Sequence, residues 1–175
     1  ITLLNINLLK NYILTKFFGF IIKFLKDIYR NSPFNLNILK MPLIRIDLTE
    51  GRSEKEIKDI MDTVQDCSVE AFKVPVRDRY QIVTEHKPGR MILLDTGLGF
   101  ERSEKAIVIQ VFTSPRATIN KNKFYKLLSQ NLQANCNLDP KDLLVSIMSN
   151  TDVDWSFGFG KTQYLSGELP KEEES

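Results

Sequence analysis

The dipeptide Met41-Pro42 holds the most distinctive chemistry in this chain. Met41 is the first methionine of the 175 residues. If translation starts there, the small penultimate residue lets the methionine be trimmed and leaves Pro42 as a free N-terminal proline. A secondary amine held in a ring has a reference pKa near the α-amino value, about 7.7–8.0. Such a group takes or gives a proton near neutral pH. A proline inside a chain cannot, because its nitrogen is an amide. The other chemistry-bearing residue types offer less. His86 is the only histidine, so a histidine-based triad or metal site has no second member. The two cysteines, Cys67 and Cys136, fall within helical patterns and lack the spacing of a metal site or a disulfide framework. The expectation is a cytoplasmic protein without a metal, its cysteines used as small core residues.

Residues 1–40 differ in composition from the rest of the chain. Ile, Leu, Asn, Lys, Phe and Tyr fill 33 of these 40 positions, and all six can be encoded by A and T alone. The segment reads as translated upstream DNA. Its rival reading is an amphipathic helix lying on a membrane surface. The apolar run 12–29 is interrupted by Lys16, Lys23 and Lys26, too often for the roughly 18 to 20 uninterrupted apolar residues of a spanning helix. No small-residue cleavage site comes after it, which argues against a secretory signal. The segment carries a net +5, and the whole chain is +2, so residues 41–175 carry −3. That balance gives no electrostatic reason to expect nucleic acid. Residues 41–170 suit one domain with its own core, and 171–175 form an acidic tail.

The domain is one β-α-β unit written twice, over residues 42–85 and 106–150. An apolar strand over 42–48 leads to a turn at Glu50-Gly51-Arg52. Ser53 and Glu56 then give the S-x-x-E capping signature. Apolar residues recur at Ile57, Ile60, Met61, Val64, Cys67, Ala71 and Phe72, a helix with one buried face. Val74-Pro75 closes it, since the residue before proline avoids the helical region. Strands are predicted at 80–84 and 91–94. The pattern returns 64 residues later: Leu48-Thr49-x-x-Arg52 as Phe112-Thr113-x-x-Arg116, and Arg77-Asp78 as Lys141-Asp142. A second helix is predicted over 118–135 and a closing strand over 143–148. Two such units close into an α+β fold, a four-stranded sheet with both helices on one face. The other face then needs cover, most simply from further copies of the chain. A pseudo-two-fold axis would bring Arg116 opposite Pro42, and Arg52 opposite Ala106, which lies inside the chain and offers no amine. One working site per chain is therefore expected.

Pro-Leu-Ile at 42–44, then Leu-Thr-Glu-Gly-Arg-Ser at 48–53, resembles the start of tautomerase-superfamily proteins. The fused pair of units resembles the malonate semialdehyde decarboxylase branch, through Val-Pro-Val-Arg-Asp-Arg-Tyr-Gln at 74–81, Asp-Thr-Gly-Leu-Gly-Phe at 95–100, Phe-Tyr-Lys-Leu-Leu at 124–128 and Asp-Trp-Ser-Phe-Gly at 154–158. The resemblance covers 42–169. It implies an enzyme that works without a cofactor, is a homotrimer and acts on a small oxo-acid. It implies Pro42 as the catalytic proline and Asp78 as the catalytic aspartate. Arg116 matches the arginine that binds the substrate carboxylate, and Trp155, Phe157, Tyr164 and Leu169 match an apolar wall. One position departs: the branch has a second arginine two residues before Arg116, where this chain has Ser114.

Each of these residues also has a plain structural use. Pro42 can open an edge strand, Asp78 can cap a turn, and Trp155 and Phe157 can be core or interface on a strand. The functional expectation is keto–enol proton transfer by Pro42 on small 2-oxo or 3-oxo acids. Decarboxylation or hydration of the malonate semialdehyde type is the alternative. A non-catalytic oligomeric binding protein is the reading if 1–40 is retained, because Pro42 is then acylated.

Overall fold

A computed structural model describes residues 42–169. The expectations for 1–40 and 171–175 lie outside the described residues. Four seven-residue strands and two nineteen-residue helices make up the body: β1 Leu43–Thr49, α1 Glu54–Phe72, β2 Tyr80–His86, β3 Ile107–Thr113, α2 Thr118–Cys136 and β4 Leu143–Ser149. A short helix, α3 Gln163–Ser166, comes last.

The sheet runs β2-β1-β3-β4. Each unit contributes a parallel pair, and the two units join antiparallel through β1 and β3. The central register obeys the sequence repeat. Arg45 pairs with Gln110 and Ile46 with Ile109. A shift of 64 turns Arg45 into Ile109 and Ile46 into Gln110, so the two pairs exchange about an axis between them. The duplication seen in the letters is therefore a pseudo-two-fold in the fold.

Alternation along the strands sets the layers, because successive side chains point to opposite faces. Ile44, Ile46 and Leu48 on β1 and Ile107, Ile109 and Val111 on β3 are buried. They pack with Ile60, Val64, Cys67, Ala71 and Phe72 of α1 and Phe124, Leu128 and Leu132 of α2. The Phe72 and Phe124 rings meet at 4.6 Å between the helices. Both helices thus cover one face. The other face shows Tyr80 and Ile82 on β2 and Met148 on β4, all exposed. Leu128 has no accessible surface, so Leu128→Ala is expected to cost about 2–5 kcal/mol through lost burial and the cavity left behind. Urea unfolding reads that cost as a lower midpoint at an unchanged slope.

The helix ends obey local chemistry. Ser53 Oγ accepts from the Glu56 amide at 3.3 Å, and the Glu56 carboxylate accepts from the Ser53 amide at 2.8 Å, closing the expected capping box. Lys73 and Asn137, 64 apart, end α1 and α2 in the left-handed region, at φ 59° and 51°. Two expectations change. Residues 91–94 form no strand: Ile92 and Leu94 are about four-fifths exposed, and the segment pairs with none of the four strands. Apolar alternation alone cannot hold a strand that has no ladder partner. Trp155 and Phe157 lie in an irregular loop after a 3-10 turn at Asp152–Asp154, not on a strand.

Candidate active site

One end of the sheet gathers the start of β1 and β2 and the finish of β3 and β4. Pro42 immediately precedes β1 and is buried. Leu43 pairs with Tyr80 on one side and Phe112 on the other. The Asp78-Arg79 approach to β2 and the Thr113–Arg116 exit from β3 therefore flank Pro42. The β4 exit leads through Asn150 to Trp155.

Arg116 is only 7% exposed. Its Nε and Nη2 both donate to the Thr113 hydroxyl, at 3.1 and 2.9 Å, and Nη1 reaches the Phe72 carbonyl at 3.5 Å. The guanidinium lies 5.2 Å over the Phe72 ring, a cation–π contact. Burial pulls its pKa down to about 10, with Tyr164 acting in the opposite sense. It still carries its charge at neutral pH, and that charge is poorly solvated.

The Asp78 segment turns tightly, its amide donating to the Pro75 carbonyl at 2.9 Å. Gln65 braces the turn from α1, donating to the Val76 and Asp78 carbonyls at 3.2 and 3.4 Å. Among the described residues the Asp78 carboxylate has no hydrogen-bond partner. Burial raises its pKa, and Arg77 opposes that rise. Linkage gives the sign for stability. A carboxyl whose pKa is raised on folding binds more protons folded than unfolded, so it costs stability once the pH exceeds its folded pKa, and the cost vanishes below the unfolded carboxylate value of about 3.9. Asp78→Asn is therefore expected to raise the melting temperature at pH 7, with the gain shrinking toward about pH 4. Calorimetry across pH checks this, and an equal or growing gain at low pH refutes it.

The aromatic residues form one cluster. Trp155 stacks on Phe157 at 5.5 Å and 7°, Tyr164 meets Phe157 edge-on at 5.3 Å, and Tyr80 approaches Phe157 at 6.0 Å. Three of the four expected wall residues thus come together. Leu169 is half-buried beyond α3, its amide donating to the Gln163 carbonyl at 3.3 Å. Tyr80, Thr113, Asn150 and Gln163 were not anticipated. Thr113 was legible as the repeat of Thr49; the other three carry no sequence signal.

The opposite end of the sheet holds the repeated set with a different outcome. Arg52 donates to the Lys105 carbonyl at 2.5 Å, directly before Ala106. Asp142, buried, accepts from the Ser103 amide and hydroxyl at 2.6 and 2.5 Å. The helices lie 64 residues apart but β2 and β4 start only 63 apart. The missing residue joins Asp142 directly to β4, whereas Arg79 separates Asp78 from β2. Two clefts, of about 330 and 350 Å³, open at this end, around Ala106 and Arg52. Size does not select them as the reaction site, since the amine position is a mid-chain amide and the carboxylate is engaged. Cys67 is buried, which pushes its thiol up to about 11, the condition of an inert core cysteine. Among the described residues, no group of three His, Cys, Asp or Glu could hold a metal ion, and no helix is long and apolar enough to cross a membrane.

Comparison with known proteins agrees with the fold. Two family models described as tautomerase enzyme match residues 42–101 and 78–158. The chain is 47% identical over 129 residues to "Probable tautomerase YrdN" of Bacillus subtilis (strain 168), covering 74% of this chain and all of that protein. "Probable tautomerase YusQ" of the same organism is 26% identical over 126 residues, 71% of this chain and 99% of that one. Crystal structures of malonate semialdehyde decarboxylase superpose with a TM-score of 0.70 at 43% identity, over 73% of this chain and 98% of that chain. A fused 4-OT trimer superposes at 0.59 with 17% identity, over 71% of this chain and 98% of that chain, a likeness of fold alone. With the four-stranded sheet, the paired units and these relatives together, the chain belongs to the tautomerase superfamily, in its malonate semialdehyde decarboxylase-like branch.

Proposed function

We propose that the chain, processed so that Pro42 is its first residue, is a cofactor-independent enzyme that moves a proton on small 2-oxo or 3-oxo acids. The observation that supports this is that the segments carrying three unlike groups converge at one sheet end. Pro42 supplies an amine that titrates near neutrality, Arg116 a desolvated cation, and Asp78 a carboxylate without a partner among the described residues. Arg116 anchors the substrate carboxylate through its planar donors. Asp78 positions or polarises the reacting group, and Trp155, Phe157, Tyr164 and Leu169 form the apolar wall.

Keto–enol tautomerisation is the first reading, because moving a proton at an acidic carbon demands least from the site. The neutral amine removes a proton next to the carbonyl and returns it elsewhere. Decarboxylation or hydration is the second, favoured by 43% identity to a decarboxylase whose structures address decarboxylase and hydratase activities. That chemistry uses the cationic amine instead. Arg116 disfavours the cation and Asp78 favours it. Ser114, in place of a second arginine, removes one push toward neutrality and one contact to a carboxylate. A free Pro42 is supported by the relatives: malonate semialdehyde decarboxylase has been studied with proline at its first position changed to alanine, and this chain covers 98% of it. The far-end set, with Arg52 on the Lys105 carbonyl, is read as a silent partner of the working site.

A homotrimer is the proposed assembly. The open sheet face with Tyr80, Ile82 and Met148 exposed favours cover by other copies.

Protein begun at Met41, with processing confirmed by intact mass, tests the reading on phenylenolpyruvate and malonate semialdehyde from about pH 5 to about pH 10. Ketonisation that rises as a group deprotonates establishes the base-type tautomerase. Loss of carbon dioxide that falls as it deprotonates establishes the decarboxylase. If the intact mass of the protein made from its natural gene includes Ile1 and neither substrate turns over, the chain is a binding protein.

A further inference from the structure

The aromatic wall has little regular structure to hold it. Between β4 and α3 the backbone makes one 3-10 turn and is otherwise irregular. Gly158 and Gly160 there have positive φ, and Phe159 between them sits at φ 57°, its side chain almost wholly exposed. A segment without strand-ladder bonds does not keep two rings stacked within 7° by regular backbone pairing. Two amide side chains supply what a strand ladder would have supplied.

Gln163 is 8% exposed. Its Oε1 accepts from the Phe157 amide at 2.9 Å, and its Nε2 donates to the Gly158 carbonyl at 2.8 Å. One side chain thus satisfies a donor and an acceptor on consecutive residues, fixing the backbone that carries the Phe157 ring. Asn150 does the same for the second ring. Its amide donates to the Thr113 carbonyl at 2.9 Å, and its Oδ1 accepts from the indole N–H of Trp155 at 3.0 Å. Thr113 is also the residue whose hydroxyl receives Arg116. Trp155 and Arg116 are therefore referenced to the same residue at the end of β3.

We propose that Asn150 and Gln163 are positioning residues that latch Trp155 and Phe157 into a fixed wall beside Arg116, and so set affinity for the organic part of the substrate. This rests on the function proposed above. It takes the latch as a cause of ring placement, not one more set of bonds in a loop.

Gln163→Leu keeps the volume and removes both bonds. Its expected result is a rise in KM of about fivefold or more, the scale of a lost aromatic contact, with kcat within about threefold. The pH profile, set by Pro42, stays in place. Trp155 is the only tryptophan of the chain, so its emission reports the stack directly, without turnover, and is expected to shift in the variant. Gln163→Glu gives a separate reading should Gln163→Leu fail to fold. A carboxylate beside the Gly158 carbonyl is repelled, but a protonated carboxyl reproduces the amide's donor and acceptor. Its KM and emission, relative to wild type, are expected to return toward normal as pH falls. At the other latch, Asn150→Asp keeps the acceptor for the indole and is expected to match wild-type emission, whereas Asn150→Leu is not. Unchanged KM and emission in folded Gln163→Leu, or no recovery of Gln163→Glu at low pH, overturn the proposal. The expected emission shifts in a protein with no Pro42-dependent turnover would instead uphold the latch and sink the proposed reaction.

Discussion

Replacing Pro42 by alanine in the processed chain is expected to lower kcat/KM by about a hundredfold or more, within the roughly 10²–10⁴ that a positioned acid–base group contributes. Alanine retains an α-amine, so the loss is not of titration itself. What is lost is the ring, which ties the nitrogen to its own side chain and holds its lone pair in one direction. A primary amine on a rotatable residue presents its lone pair in several. The neighbours sharpen the expectation. The Arg116 charge at the same sheet end disfavours a cation, and Asp78 acts in the opposite sense. The pH profile therefore reads which influence prevails: a rise with deprotonation means the amine works as a base, and a fall means it works as an acid. Steady-state kinetics over pH, with processing verified by mass, make the measurement. Activity within about threefold of wild type would remove Pro42 from the mechanism.

The second large effect is expected at Arg116. Arg116→Leu should lower kcat/KM for an oxo-acid by about 10²-fold or more, carried mainly by KM. Removing one member of a buried charge pair costs about 2–5 kcal/mol, and 1.4 kcal/mol is a factor of ten. Lysine is not expected to rescue, because a compact ammonium lacks the planar fork that spans Thr113, the Phe72 carbonyl and a carboxylate together. Stability should move differently. Burial lowers the Arg116 pKa, so folding disfavours its charged form, and linkage makes that a cost to the folded state at neutral pH. An apolar replacement is then expected to leave the melting temperature unchanged or higher. Loss of activity with a retained melting temperature marks a group held in place at the expense of stability. Equal loss of both would mean Arg116 is chiefly a structural tie.

Much of the fold was legible because its signals are local. The Ser53–Glu56 box starts α1, and the spacing from Ile57 to Phe72 gives it one apolar face. The proline after Val74 marks the end of the helix in the sequence, within two residues of where Lys73 ends it in the structure. The 64-residue repeat carried the sheet topology, since the same letters meet the same neighbours about an axis. Residues 91–94 misled for a physical reason: they have strand-like apolarity but no ladder partner in the sheet. The Trp155–Phe157 spacing misled likewise, being two residues apart in a loop rather than on a strand.

The sequence by itself determined the two β-α-β units, their caps, their buried faces and the residue types that can do chemistry. Each of these depends on neighbours a few positions away, through periodicity and backbone hydrogen bonding. Only the tertiary structure decided what the chemistry-bearing residues do once together. It separates the two repeats at Asp78 and Asp142 through one missing residue, which turns an unengaged carboxylate into one tied to Ser103. It draws Trp155, Tyr164 and Tyr80 around Phe157, and ties Trp155 to Asn150 and the Phe157 backbone to Gln163. Those contacts join residues whose conformations no local propensity dictates, so they exist only where β-strand ends and loops converge.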